Sequence, residues 1–160
     1  MSTITISRQL GSYGDEVGQA LSQRLGFQVV SRAIINQAAS RAGVPEVALA
    51  TIDDLDLLGL RPSAADRQAY HQSVSEIMQD LAGRGQIVII GRAGQVILKD
   101  IPGVLHVKII APAAVRAARI ADGEDISLVA AQARIEASDH SRKQYLAQYY
   151  QVRWDDPELY

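Results

Sequence analysis

Thr3-Ile4-Thr5-Ile6-Ser7-Arg8-Gln9-Leu10-Gly11-Ser12-Tyr13-Gly14-Asp15-Glu16 is the stretch that decides the fold. Thr3 to Ile6 reads as a short strand. It runs straight into a turn holding Gly11, Ser12 and Gly14, and then into a helical pattern that carries Val17, Leu21 and Leu25. A strand, a glycine-bearing turn and a helix in that order leave backbone N–H groups and a helix N-terminus aimed at one spot, which suits a phosphate. A plain tight turn with glycines at positive φ would use the same residues. The stretch alone leaves both readings open.

Outward from this turn, strands and helices alternate. Gly26 stops the first helix, and Phe27 to Val30 read as a second strand. Ile34, Ile35 and Ala38 share a helical face. Residues 44 to 62 mix leucines with Asp53, Asp54 and Asp56 and suit a short helix followed by a connection. Ser63 is placed to cap a long helix with Tyr70, Val74, Ile77, Met78 and Leu81 on one face, ending at Gly83 and Gly85. Ile87 to Ile90 is a β-branched run of the kind buried on both faces of a sheet. A short helix with Val96 and Ile97 follows, then a strand from Val104 to Ile110. Next come a helix over 112–122, broken at Gly123, and a last helix from about Ile126 to about Gln151. Alternation of this kind predicts a parallel sheet with right-handed crossovers and a ligand crevice at the carboxyl ends of the strands.

Composition narrows the chemistry. The chain has 160 residues, 48% hydrophobic and 21% charged, with a formal net charge of -2, which gives no general pull toward nucleic acid or anionic membrane. It has no cysteine, so disulfides, thiolate metal sites and cysteine nucleophiles are excluded. His71, His106 and His140 are not spaced as metal ligands. The N-terminus lacks the pattern of a signal peptide, and no apolar run approaches the ~20 residues of a membrane span. A cytoplasmic location is expected.

Any anion site must therefore come from placed arginines. Arg92 follows a buried strand and Gly91, at the end where the crevice should lie, and its fork can grip a phosphate in bidentate fashion. Arg116 and Arg119 share a helix face. Arg134, Asp139, Arg142 and Lys143 lie on the last helix, where Asp139 can pair with Arg142 or Lys143. Each of these also has a plain reading as solvated helix surface. Against the pattern G-x-x-x-x-G-K-[ST], Arg8 takes the first glycine, Tyr13 the second and Gly14 the lysine. The lysine that spans the β and γ phosphates is absent, and so is the hydroxyl ligand of Mg²⁺.

Taken together, the chain resembles the cytidylate kinase-like family of P-loop nucleoside-monophosphate kinases. The resemblance rests on Ile4–Gly14, on Ile87–Arg92 with Val96–Asp100, and on Leu105-His-Val with Ala111-Pro and Arg116. It continues through Asp139–Tyr145, Tyr149-Tyr150, Trp154-Asp-Asp-Pro157 and Tyr160. Tyr13 stands where the family usually has glycine, Ala93 where it has aspartate, and Arg32 where many relatives have aspartate.

This resemblance implies a single three-layer α/β/α P-loop domain over residues 1–160 with a small parallel sheet in the order 2-3-1-4. In these 160 residues the usual fifth strand is expected to be missing. A monophosphate-binding insert would span about 44–84 and a lid-like region about 120–145. The implied activity is transfer of the γ-phosphoryl group of ATP, with Mg²⁺, to CMP or dCMP. Arg8, Arg134 and Arg142 would be catalytic. Gly11, Ser12, Gly14, Arg116 and Arg119 would hold the donor phosphates, and Arg92 and Asp139 the acceptor nucleotide. The alternative is a catalytically silent nucleotide- or phosphate-binding homologue. Partners would be nucleotides, not nucleic acid or membrane. Without a fifth strand the apolar strand 104–110 becomes an edge, with Lys108 as its only charge. The expected outcome is a homo-oligomer using Trp154 and Tyr160, with cover by residues 151–160 as the other solution.

Overall fold

Strand β1 (Thr3–Arg8) shows why the sheet must be covered on both sides. Ile4 and Ile6 point to one face, where they join Val88 and Ile90 of β3 (Ile87–Ile90) beneath helix α1 (Gly14–Leu25). Thr3 and Thr5 point to the other face and are equally buried. Thr3 donates its hydroxyl to the Ala82 carbonyl, and Thr5 Oγ1 lies 2.7 Å from His106 Nδ1, so neither polar group is left unmet. The computed structural model describes residues 2–31, 36, 37, 40, 43 and 64–160, apart from the side chains of Asp66 and Arg67. Ile34, Ile35, Ala38 and the stretch 44–63 read from the sequence lie outside the described residues.

The remaining described elements are β2 (Gln28–Val30), α2 (Ala64–Arg84), α3 (Gly94–Ile97), β4 (Val104–Ile109), α4 (Ala113–Glu124), α5 (Leu128–Tyr150) and a 3₁₀ turn, Pro157–Leu159. The four strands pair in parallel in the order β2-β3-β1-β4, with Ile6 opposite Ile90 and Val107. This is the α/β P-loop type of sheet, in the strand order that the family resemblance implied. The even residues of β3 pack toward α1. Ile87 and Ile89 pack toward α2, against Tyr70, Val74, Met78 and Ala82. Full burial of such side chains stabilises by about 1.5–3 kcal/mol each, which is why this uninterrupted apolar run forms the centre.

Element ends follow their caps. Gly26 closes α1 in the left-handed region, as its position suggested. Gly123 does not break α4. The helix passes through it to Glu124 and is closed by Asp125 at φ 53. A helical glycine costs only about 1 kcal/mol, and the contact of Ala117 with Ala131 and Ile135 of α5 holds the hairpin across it. Ser127 then caps α5, accepting from the Ala130 N–H at 3.2 Å.

The expected use of Trp154 and Tyr160 as a partner surface is corrected. Trp154 is 3% exposed and packs within its own chain against Ala93 and Leu146. Its indole N–H donates to Ser7 Oγ at 2.8 Å, and the Tyr160 hydroxyl donates to the Trp154 carbonyl at 3.0 Å. Both rings flank the ammonium of Lys108, which also donates to the Trp154 carbonyl at 2.8 Å. The segment therefore covers the carboxyl end of β1 and β4. Leu105 on β4 and Ile110 just past its end stay exposed. Among the described residues, no helix is long and apolar enough to cross a membrane.

Candidate functional site

The turn after β1 forms one wall of a cleft of about 330 Å³, and α4 and α5 form the other. Its chemistry comes from Arg8, Gly11, Gly14, Asp15, Arg119 and Arg142. The turn is tied down at several points. Ser12 Oγ donates to the Gln9 carbonyl at 2.7 Å, and the Gln9 side-chain oxygen accepts from the Ala111 N–H at 3.1 Å. Gly11 has φ +76, and a Cβ there would stand 2.8 Å from the Arg116 carbonyl. Both the conformation and the approach of α4 thus require glycine.

Gly14 has a different reason. A Cβ on it would lie 2.3 Å from Arg8 Cβ and 2.6 Å from Arg8 Cγ. Its bareness lets the Arg8 side chain leave the end of β1 and enter the cleft. There the guanidinium meets Asp15, with Nη2 to Oδ1 at 3.1 Å and Nε to Oδ2 at 3.3 Å. Asp15 is well exposed, so the pair is held in a wet environment, where such contacts contribute on the order of 1 kcal/mol or less. An incoming phosphate can compete for Arg8.

Arg116 and Arg119 share α4 but do different things. Arg116 is 5% exposed. It donates to the Ala111 and Leu10 carbonyls at 3.1 and 3.3 Å and takes both carboxylate oxygens of Asp139, at 3.3 and 2.9 Å. It joins the turn, α4 and α5 from behind the cleft wall. Arg119 faces the cleft. It donates to the Gly11 carbonyl at 3.1 Å, and its guanidinium lies 4.0 Å from the centre of the Tyr13 ring.

On α5, Arg142 lines the cleft and donates to the Ser138 carbonyl and hydroxyl. Arg134 pairs with Glu124, whose side chain reaches the rim, but is not itself on the cleft wall. Arg92 is elsewhere. It is 8% exposed, on a turn where Gly91, Arg92 and Ala93 all have positive φ, at 81, 57 and 55°. Two consecutive non-glycine residues there cost about 1 kcal/mol or more each, a strain that tends to persist at ligand sites. Its neighbours are Tyr145 and Tyr150. Burial pushes the Tyr145 phenol well above its ordinary range and Tyr150 upward too, and the Arg92 charge opposes both shifts. The structure thus brings together Arg8, Gly11, Gly14, Arg119 and Arg142. Arg116 with Asp139 lies behind them, Arg134 beside the rim and Arg92 apart.

Comparison with known proteins bears on the family of the chain and on its fold. The model of the cytidylate kinase-like family matches residues 3–160. The chain belongs to the cytidylate kinase-like family. Cytidylate kinase from Halobacterium salinarum is 28% identical over 158 residues, covering 98% of this chain and 77% of that protein. Among solved structures, an uncharacterized protein from Eubacterium ventriosum superposes with a TM-score of 0.75 at 22% identity, covering all of this chain and 84% of its own. A gluconokinase from Sinorhizobium meliloti shares the fold at a TM-score of 0.55 and 16% identity, over 88% of this chain and 74% of that one.

This cytidylate kinase-like chain also contains arrangements that reading its sequence missed. The Tyr13–Arg119 stack joins residues 106 positions apart, and no local spacing announces it. The carboxyl end of β1 is held by Ser7 receiving Trp154, where the sequence had pointed Trp154 outward. Lys108, expected as an edge charge, lies between two rings, and desolvation pulls its ammonium below the ordinary range, partly offset by Asp155. His71 of α2 sits among Tyr145, Tyr149 and Tyr150 of α5, with Nδ1 3.2 Å from the Tyr150 hydroxyl. Tyr145 and Tyr149 also pack on each other, with ring centroids 5.2 Å apart.

Proposed function

We propose that the chain is a nucleoside-monophosphate kinase that moves the γ-phosphoryl group of ATP to CMP or dCMP. Family membership supports a nucleotide kinase. The observation that carries the assignment of parts is the meeting of Arg8, Arg119 and Arg142 on one cleft with the glycine turn. Three cations against backbone N–H groups form a receptor for a triphosphate, and phosphoryl transfer asks chiefly for positioning and charge neutralisation. A phosphate oxygen of the acceptor bonds to the γ-phosphorus, the bond to the β–γ bridging oxygen breaks, and ADP leaves. No general base is needed.

Arg8 stands in for the missing P-loop lysine, Arg119 and Arg142 hold the donor phosphates, and Arg134 adds positive charge from the rim. Arg116 acts through Asp139 by fixing the turn against α5. Arg92, on its strained turn at the end of β3, takes the acceptor phosphate. Among the described residues no cluster of three acids or histidines could hold a metal alone. Mg²⁺ bound with ATP needs little more, since it keeps several waters and takes most ligands from phosphate. The carboxylates of Asp15 and Glu16 on the cleft wall fit that need. The ion would neutralise phosphate charge.

One observation favours a second reading, a silent nucleotide-binding homologue. The P-loop hydroxyl ligand of Mg²⁺ has no counterpart in the turn, and the Ser12 hydroxyl is turned to the Gln9 carbonyl. A coupled ADP-release assay with ATP and each nucleoside monophosphate, with and without Mg²⁺, separates the two. The kinase reading expects Mg²⁺-dependent ADP release that requires CMP or dCMP. ATP binding without turnover on any monophosphate would leave the silent homologue.

A further inference from the structure

We propose that Gly91 is a positioning residue for Arg8. Its missing Cβ leaves the space in which the guanidinium reaches from the glycine turn to the end of β3. β1 and β3 are adjacent and parallel, with Ile6 opposite Ile90 and the Gly91 N–H donating to the Ile6 carbonyl at 2.9 Å. Arg8, two residues past Ile6, and Gly91, one past Ile90, therefore emerge side by side at the carboxyl edge of the sheet. A Cβ built on Gly91 would stand 2.7 Å from Arg8 Nη1, too close for a real contact, and 3.8 Å from Arg8 Cζ. Gly14 passes the stem of the same side chain and Asp15 holds its other edge. Arg8 is thus aimed by two glycines 77 positions apart in sequence. Its head faces both the donor cleft and the turn that carries Arg92, where a phosphoryl group in transit would pass.

This inference rests on the kinase reading for its functional consequence but not for its geometry. The head of an arginine is mobile, so an added methyl moves it at little cost in packing and spoils its aim. Gly91 also has φ +81, so Gly91→Ala brings backbone strain of its own. That strain is the same whatever side chain stands at position 8.

The test is a cycle of Gly91→Ala in the parent, Arg8→Ala and Arg8→Lys backgrounds, with ATP titrated by calorimetry. The Arg8 Nε–H resonance, assigned by its loss in Arg8→Ala, is followed by NMR. In the parent background, Gly91→Ala should shift that resonance and weaken ATP binding about tenfold, the scale of a lost charge-assisted contact. In Arg8→Ala it should weaken ATP no further. Lysine carries no Nη1, so in Arg8→Lys the effect should also vanish. An unmoved Arg8 resonance, or equal losses from Gly91→Ala in all backgrounds, would overturn the proposal. If the parent binds no ATP, the kinase reading falls, and the resonance alone decides whether Gly91 seats Arg8.

Discussion

The cleft beside the glycine turn and the aromatic end around Arg92 lie at the same edge of one sheet, yet they are built on opposite terms. In the cleft, the cations are partly exposed. Arg8 pairs with an exposed Asp15, and Arg119 with a backbone carbonyl and a half-exposed Tyr13 ring. At the other end Arg92 is buried near Tyr145 and Tyr150, and Trp154, Leu146 and Ala93 form a small core beside it. The difference teaches where each region draws its order. The cleft is shaped by glycines and backbone, with little burial, and it can exchange partners with a ligand. The aromatic end is shaped by apolar area and is part of the stability of the chain.

The comparison is broken most sharply at Trp154. Trp154→Ala removes the centre of the aromatic core and should cost about 3–5 kcal/mol in denaturant unfolding, the usual range for a buried tryptophan. If only that region is disturbed, the variant should still bind ATP at low temperature. Trp154→Phe keeps most of the apolar area and gives up the hydrogen bond to Ser7, so it should cost about 1 kcal/mol.

A smaller effect is expected from His106 on β4, which contacts Thr5 and belongs to neither region. Burial holds its pKa below the ordinary value of 6.5, with a hydrogen bond to the Leu98 backbone opposing the shift. The fold therefore prefers the neutral ring, and the unfolded chain binds the proton more readily. This contribution is complete above pH 6.5 and is lost as pH falls from there through the lower folded value. Melting temperature should decline over that interval, and His106→Gln should flatten the decline. Equal slopes in parent and variant would assign the pH dependence elsewhere.

The same contrast separates what the sequence made legible from what it hid. The buried run Ile87–Ile90 and the glycine cap at Gly26 could be read because each depends on local periodicity or on one backbone conformation, whereas the strand order came from the family resemblance. Of the residues on the cleft, Arg119 and Arg142 were picked out by their places on helices, and Arg8 by the resemblance. Their partners were not. Asp139 was paired on paper with Arg142 or Lys143, its helix neighbours, whereas its carboxylate goes to Arg116 of α4, 23 residues away. A buried guanidinium needs a charged partner more than an exposed one does, and burial is set by tertiary packing. Gly14, expected by resemblance to hold donor phosphate, also leaves room for the Arg8 stem, which lies six residues away and could not be read locally. Trp154 was read as exposed because its counterpart, Ser7, is 147 positions away.

The central claim is that the cleft of Arg8, Arg119 and Arg142 receives the donor phosphates while the acceptor is held elsewhere. Calorimetric titration of ATP and of CMP into the parent and into Arg8→Ala tests it most directly. Loss of one charge-assisted phosphate contact should weaken ATP binding about tenfold and leave CMP affinity unchanged. Equal loss for both nucleotides, or unchanged ATP affinity in Arg8→Ala, would contradict it.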